Sequence, residues 1–203
     1  FGYDSNGRMY HLDTATGALT LAGQFGGAYR GSDASAAMFR PGRILQYGGN
    51  SNGAIVIDIT SGTPVVTPTQ SMATQRRLST ATILADGQVL ATGGSPVWND
   101  IAGAALNAEI WNPQSGQWTV GAAGAVARLY HSNALLLPDA TVLVSGGGAP
   151  GPLNNLNAEI YYPPYLFTAD GHEAVRPSIL ATPDYLQVGK TVTVDMADAG
   201  AIG

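Results

Sequence analysis

Three times along this chain an apolar run ends on a pair of glycines: Leu45-Gln46-Tyr47-Gly48-Gly49, Leu90-Ala91-Thr92-Gly93-Gly94 and Leu143-Val144-Ser145-Gly146-Gly147. From Gly48 to Gly93 is 45 positions, and from Gly93 to Gly146 is 53. A fixed period of this size marks one supersecondary unit used repeatedly, each unit burying its apolar faces only against its neighbours. The parts recur in the same order. Thr82 to Leu90 reads as strand, two-residue turn, strand, with Asp86-Gly87 suited to the positive φ that a tight hairpin requires. The third repeat has Pro138-Asp139-Ala140-Thr141 at that place, so alanine stands where glycine is expected, and another turn type is predicted there. Asn107-Ala108-Glu109-Ile110-Trp111-Asn112-Pro113 parallels Asn157-Ala158-Glu159-Ile160-Tyr161-Tyr162-Pro163. Ser115-Gly116-Gln117-Trp118 then supplies a turn and a strand carrying an aromatic. The opening segment predicts a hairpin around Thr14-Ala15-Thr16-Gly17, and Asp4-Ser5-Asn6-Gly7 reads as a turn, because it lacks the later acidic residue of a calcium loop.

A helical reading fails throughout. With 27 glycines and 12 prolines, every window is interrupted before three turns form. The expected fold is therefore all-β, with about four propeller blades' worth of sequence at a period close to that of kelch-type repeats. Only 11% of the residues are charged, against about 25% in an average chain, and the net charge is -5. Nothing here forms the basic patch of a nucleic-acid binder, and no apolar stretch approaches the roughly 20 residues of a membrane-spanning helix. There is no cysteine, hence no disulfide and no thiolate metal site. The phosphate-binding loop, the His-Glu-x-x-His helix and the Gly-x-Ser-x-Gly elbow are all missing. Low charge with abundant Thr, Ser, Ala and Gly points to an extracellular or cell-surface protein.

The chemistry-bearing segment is Arg128-Leu129-Tyr130-His131-Ser132, directly before the apolar Leu135-Leu136-Leu137-Pro138. Adjacent residues on a strand face opposite ways, so Tyr130 and His131 can reach the same side only at a strand end or bend. With Gly146-Gly147-Gly148, Ala158 to Tyr161 and Pro163-Pro164-Tyr165-Leu166, this segment resembles the last propeller blade of the galactose oxidase and glyoxal oxidase family. The resemblance implies a kelch-type β-propeller over residues 1–175, followed over 176–203 by the start of an immunoglobulin-like β-sandwich. It implies copper ligation by Tyr130 and His131, with Tyr130 also accepting the proton of an alcohol, and a substrate-facing role for Arg76. A further histidine ligand would lie beyond Gly203. The family's cysteine falls at or near Asp33, its crosslinked tyrosine near Gly53, and a histidine of the preceding blade at Ser79, so the Tyr-Cys radical cofactor is not expected here.

Two strands, at 178–181 and 191–195, are too few for a sandwich of about seven. Further blades before Phe1 and the rest of the sandwich after Gly203 are therefore expected in the same polypeptide. Alternative readings stand beside the site. Tyr130-His131 also reads as a structural pair at a blade junction, and Arg76 and Arg128 as buried cations on blade carbonyls. Glu109 and Glu159, recurring at one repeat position, read as architecture, and His11 and His172 as surface residues. Trp98 lies on a loop, either as shielding packing or as a platform for a sugar ring. The function expected is that of a protein lacking the radical site and acting as a binding or structural module, with polysaccharide or a surface assembly as partner. The alternative is a copper-dependent oxidase of primary alcohols or aldehydes, releasing hydrogen peroxide.

Overall fold

A computed structural model describes residues 1–197. The chain divides into two compact units, Phe1–Tyr161 and Tyr162–Gly203. The first is made of four antiparallel meanders in chain order. One sheet holds β1 (Gly2–Tyr3), β2 (Arg8–Leu12) and β3 (Leu19–Gln24). The next holds β4 (Ser35–Arg40), β5 (Arg43–Tyr47), β6 (Ala54–Asp58) and β7 (Val65–Thr69). The third holds β8 (Thr80–Ile83), β9 (Val89–Thr92), β10 (Asn107–Trp111) and β11 (Trp118–Ala123), and the fourth holds β12 (Ser132–Leu136), β13 (Val142–Gly146) and β14 (Ala158–Tyr161). The all-β expectation holds.

Burial follows position in the meander. All four residues of β9 are buried, as are four of the five in both β5 and β10, so these strands are covered on both faces. Met9, Phe25, Ile44, Ile55 and Ile57 pack the first sheet on the second. Leu45, Tyr47, Met72, Val89, Trp111 and Trp118 pack the second on the third. Fully burying a side chain of this size contributes about 1.5–3 kcal/mol. The first strands of the second, third and fourth sheets lie side by side. Ser35 Oγ donates to Ser79 O at 2.6 Å, Thr80 Oγ1 to Ser132 O at 3.4 Å and Thr82 Oγ1 to Ala134 O at 3.3 Å.

The glycine pairs are needed for contact between sheets. Gly48 and Gly93 sit at φ +77° and +64°, and a Cβ on either would lie 2.4 Å from a carbonyl oxygen, that of Arg76 or Arg128 respectively. Each of those arginines turns its guanidinium inward. Arg76 donates to the carbonyls of Gly93 and Asn107 and to Glu109; Arg128 donates to those of Gly146 and Asn157 and to Glu159. The recurrence of both glutamates is thus architectural.

Two turns differ from expectation. At Leu84, N–H donates to Gln88 O, and Gly87 N–H donates back to Leu84 O. Gly87 alone takes positive φ, which makes a three-residue loop with a bulge rather than a two-residue turn. The turn at Leu137–Thr141 is not of another type: its two backbone bonds are the same, and Ala140 is held at φ +63° where Gly87 sits at +79°. Aspartate imposes this geometry, since Asp86 Oδ1 accepts from Gln88 N–H and Asp139 Oδ1 from Thr141 N–H. The hairpin at 13–18 and the turn at Asp4–Gly7 form as predicted.

The second unit carries a 3-10 turn at Pro164–Leu166 and one antiparallel pair, β15 (Ile179–Ala181) with β16 (Asp195–Met196). The expected strand over 191–195 is reduced to its last residue plus one more. Val192 and Val194 are exposed, so the apolar face that would define the strand is not covered.

Candidate functional site

Tyr130 and His131 occupy the bend that leads into β12. Ser132 N–H donates to Leu129 O at 2.9 Å, closing a four-residue turn with Tyr130 and His131 at its centre. His131 takes φ +64°, the third-position conformation of a type II turn. The pleat is broken there, so the two rings do not diverge as they would on a strand. They stack, with centroids 3.7 Å apart and planes at 27°. Trp98, half-exposed, lies on the stack at 5.7 Å from the Tyr130 ring. The loop tryptophan is therefore a partial shield over Tyr130.

Backbone contacts fix the bend. Gly148 N–H donates to Tyr130 O at 2.7 Å, and Tyr130 N–H donates to Asn99 Oδ1 at 3.2 Å. Asn99, buried, spends its amide nitrogen on the carbonyls of Gly148 and Pro150. It ties the loop that carries Trp98 to the loop after β13 and to Tyr130 at once. Nothing in the sequence marked it, because its partners lie 31 to 51 positions away.

His131 Nδ1 lies 3.0 Å from Ala149 O. A carbonyl only accepts, so Nδ1 carries the proton and Nε2 of the neutral ring keeps its lone pair. Metal-binding histidines are commonly set this way, one ring nitrogen donating to a carbonyl and the other free to ligate. The imidazole is exposed and Tyr130 half-buried. These two side chains fit a copper ion as donors. Among the described residues no cluster of three or more His, Cys, Asp or Glu joins them.

The residues of this segment do not by themselves build a Tyr-Cys radical cofactor. The chain has no cysteine, and Asp33 stands at the corresponding place, at φ +64°. Gly53 stands where the partner tyrosine would be, and a Cβ there would lie 2.9 Å from the Tyr29 ring. Ser79 is engaged with Ser35, Oγ to Oγ at 2.8 Å. Arg76 has no exposed surface, and its guanidinium is committed to Glu109 and two carbonyls. A substrate-facing role for it has no exposed atom to act through in this structure. Arg128 is buried in the same way, and His172 is exposed.

No family model matches the chain. Galactose oxidase of Gibberella zeae is 31% identical over 172 residues, which cover 75% of this chain. Aldehyde oxidase GLOX1 of Arabidopsis thaliana is 30% identical over 174 residues, which cover 78% of it. The chain spans 25% and 28% of those two relatives. Among solved structures, a fungal alcohol oxidase of the AA5 family, determined in complex with copper, superposes with a TM-score of 0.87 at 29% identity. That superposition covers 98% of this chain and 45% of the other. By sequence and by structure, the chain belongs to the galactose oxidase-like family.

Proposed function

We propose that the protein is a copper-dependent oxidase of primary alcohols or aldehydes, in which Tyr130 and His131 supply two of the metal's donors. The observation that carries this reading is the bend itself: a phenol and an imidazole stacked on one side of a turn, with Nδ1 spent on Ala149 O and Nε2 left to ligate. The activities for which those relatives are named, on galactose, aldehydes and alcohols, support the reaction class. Bound copper would supply a one-electron acceptor and a Lewis acid. Within this segment Tyr130 Oη takes the substrate's proton, His131 orients the metal, and Trp98 shields one face of Tyr130 from water. Alcohol oxidation removes two electrons, so a second redox store is required, and this segment has no cysteine with which to form a Tyr-Cys pair; such a store would be built from residues outside it.

That last point favours a second reading, a binding or structural module that has kept the bend without the redox half. Here polysaccharide or a surface assembly is the partner, and the location is extracellular or at the cell surface. No helix among the described residues is long and apolar enough to cross a membrane. In both readings residues 1–175 are blades of a kelch-type propeller, supported by four meanders in chain order, the first strands of the last three side by side, and 176–203 begin an immunoglobulin-like domain.

Elemental analysis of the copper-loaded full-length protein, beside a Tyr130→Phe, His131→Ala double variant, tests both. Copper at one per chain, lost in the variant, together with peroxide release from a primary alcohol or aldehyde, is the expected result. Copper without peroxide removes the oxidase. Absence of copper from both proteins removes the metal site and leaves the module.

A further inference from the structure

Three consecutive carbonyls after β13 meet two different partners. Gly148 O and Pro150 O both accept from Asn99 Nδ2, at 3.1 and 3.0 Å, while Ala149 O between them lies 3.0 Å from His131 Nδ1. Asn99 is 9% exposed. Chemistry fixes its amide: a carbonyl cannot donate and an N–H cannot accept, so Nδ2 faces the loop and Oδ1 faces the bend, where it accepts from Tyr130 N–H at 3.2 Å. Both amide hydrogens are used on the loop. A Cβ on Gly151 would lie 2.4 Å from Asn99 Nδ2, so the loop closes on the amide with no room for a side chain.

This clamp leaves Ala149 O little freedom. The oxygen belongs to the peptide unit between Ala149 and Pro150, which carries no N–H of its own. The units on either side carry the Gly148 and Pro150 carbonyls, and Asn99 holds both. The Pro150 ring also sets its own φ, so rotation of the middle unit is confined from both ends. The bend is held in the same frame. Gly148 N–H donates to Tyr130 O at 2.7 Å, and Asn99 takes the N–H of Tyr130. The backbone that carries the imidazole and the oxygen that the imidazole meets are thus fixed to one another through one side chain.

The consequence falls on His131. Which nitrogen of a neutral imidazole carries the proton is set by the hydrogen bonds the ring makes. With Ala149 O in place, Nδ1 donates and Nε2 keeps its lone pair. Were that carbonyl to turn away, the ring could place its proton on Nε2, and that nitrogen could no longer ligate. We propose that Asn99 is a positioning residue: by clamping the carbonyls on either side of Ala149, it holds the acceptor that presents His131 Nε2 as a metal donor. The clamp stands on its own geometry, and its use for copper rests on the oxidase reading above.

The test compares wild type, Asn99→Asp, Asn99→Ala and Asn155→Asp in the full-length protein with nitrogen-15-labelled histidine. Asn99→Asp keeps an oxygen for Tyr130 N–H and sets another against the two carbonyls, whereas Asn99→Ala removes all three bonds; if one of them does not fold, the other decides. Asn155 lies in the same loop and its Nδ2 donates to Ala127 O at 2.8 Å, so its variant makes the same chemical change without releasing the carbonyls beside Ala149. The ring nitrogens are read by NMR without metal at about pH 8.5, where an ordinary imidazole is neutral, and His131→Ala identifies the signal. The proton is expected on Nδ1 in wild type and Asn155→Asp, and partly on Nε2 in both Asn99 variants. Copper affinity, read by competition with a chelator, should weaken about 10–100-fold in the Asn99 variants alone. An unmoved proton in the Asn99 variants overturns the proposal, as does copper affinity that stays the same when the proton moves. An equal shift in Asn155→Asp overturns it too and assigns the hold to the loop as a whole. If wild type takes up no copper while the Asn99 variants still move the proton, the oxidase reading falls and Asn99's hold on the ring stands.

Discussion

The two arginine–glutamate clasps make one motif with two degrees of burial, and changing each glutamate to glutamine separates the effect of burial from that of chemistry. The side chains of Arg76 and Glu109 are 0% and 1% exposed, and the ion pair is 2.9 Å long. Glu109 accepts four bonds, from Ala73 N–H, Thr74 N–H and Arg76 Nε and Nη2. Glu109→Gln removes the charge that balances a fully buried guanidinium, and it turns an amide NH₂ toward donors. Leaving a buried ion uncompensated costs about 3–5 kcal/mol. At the equivalent clasp the Glu159 side chain is 28% exposed and accepts from Ala125 N–H and Arg128 Nη2. Water replaces part of what is lost there, so Glu159→Gln should cost about 1–2 kcal/mol. Urea unfolding of the full-length protein reads both, as a fall in midpoint at constant slope. Equal destabilisation of the two variants, or a cost below about 1 kcal/mol for Glu109→Gln, would refute the link between burial and cost.

Three further outcomes follow from backbone and titration geometry. Ala140→Gly, at φ +63°, should raise stability by about 1 kcal/mol, because an L side chain in that region costs about 1–2 and glycine's extra unfolded-state freedom returns part of it; thermal unfolding reads the gain. Gly93→Ala should lower stability by about 2–3 kcal/mol in the same assay, since its Cβ would lie 2.4 Å from Arg128 O and φ is +64°. Burial pushes the Tyr47 hydroxyl up to about 12, so between pH 10 and 12 the folded state holds a proton that the unfolded state has released. Stability is therefore complete below pH 10 and falls as pH rises toward 12, by about 2–3 kcal/mol for this group. Tyr3, raised to about 12 by burial as well, titrates in the same window, so Tyr47→Phe should make the decline shallower without abolishing it. Identical slopes for wild type and variant would rule the assignment out.

What the sequence made legible is what each repeat does by itself. The glycine pairs end their strands for a local reason, and in two of the three the equivalent carbonyl approaches, that of Arg76 at Gly48 and that of Arg128 at Gly93. The recurring glutamates were visible as recurrence, while their partners, 33 and 31 positions away, were not. At Pro138–Thr141 the alanine in glycine's place points to the wrong turn type. Asp139 and the strand register choose it instead, and Ala140 bears the strain. The role of Asn99 is invisible in the sequence because it exists only where segments from different repeats meet, and no periodicity encodes that meeting.

The bend at His131 also has an architectural component. Asp33 and Leu78 take positive φ at +64° and +60°, just ahead of β4 and β8, as His131 does ahead of β12. The left-handed residue is thus a device of the fold, used three times with three unrelated side chains, and its presence at His131 says nothing about metal. What is particular to this copy is the imidazole with Nδ1 on Ala149 O and Nε2 free. Two substitutions separate the scaffold from the chemistry. Asparagine accepts left-handed φ readily, so His131→Asn should change stability by less than about 1 kcal/mol. Valine resists it, so His131→Val should cost about 1–2 kcal/mol. Both should lose copper equally, because neither side chain offers a nitrogen lone pair. Copper retained by His131→Asn would show that the imidazole is not a ligand and that the bend serves the fold alone.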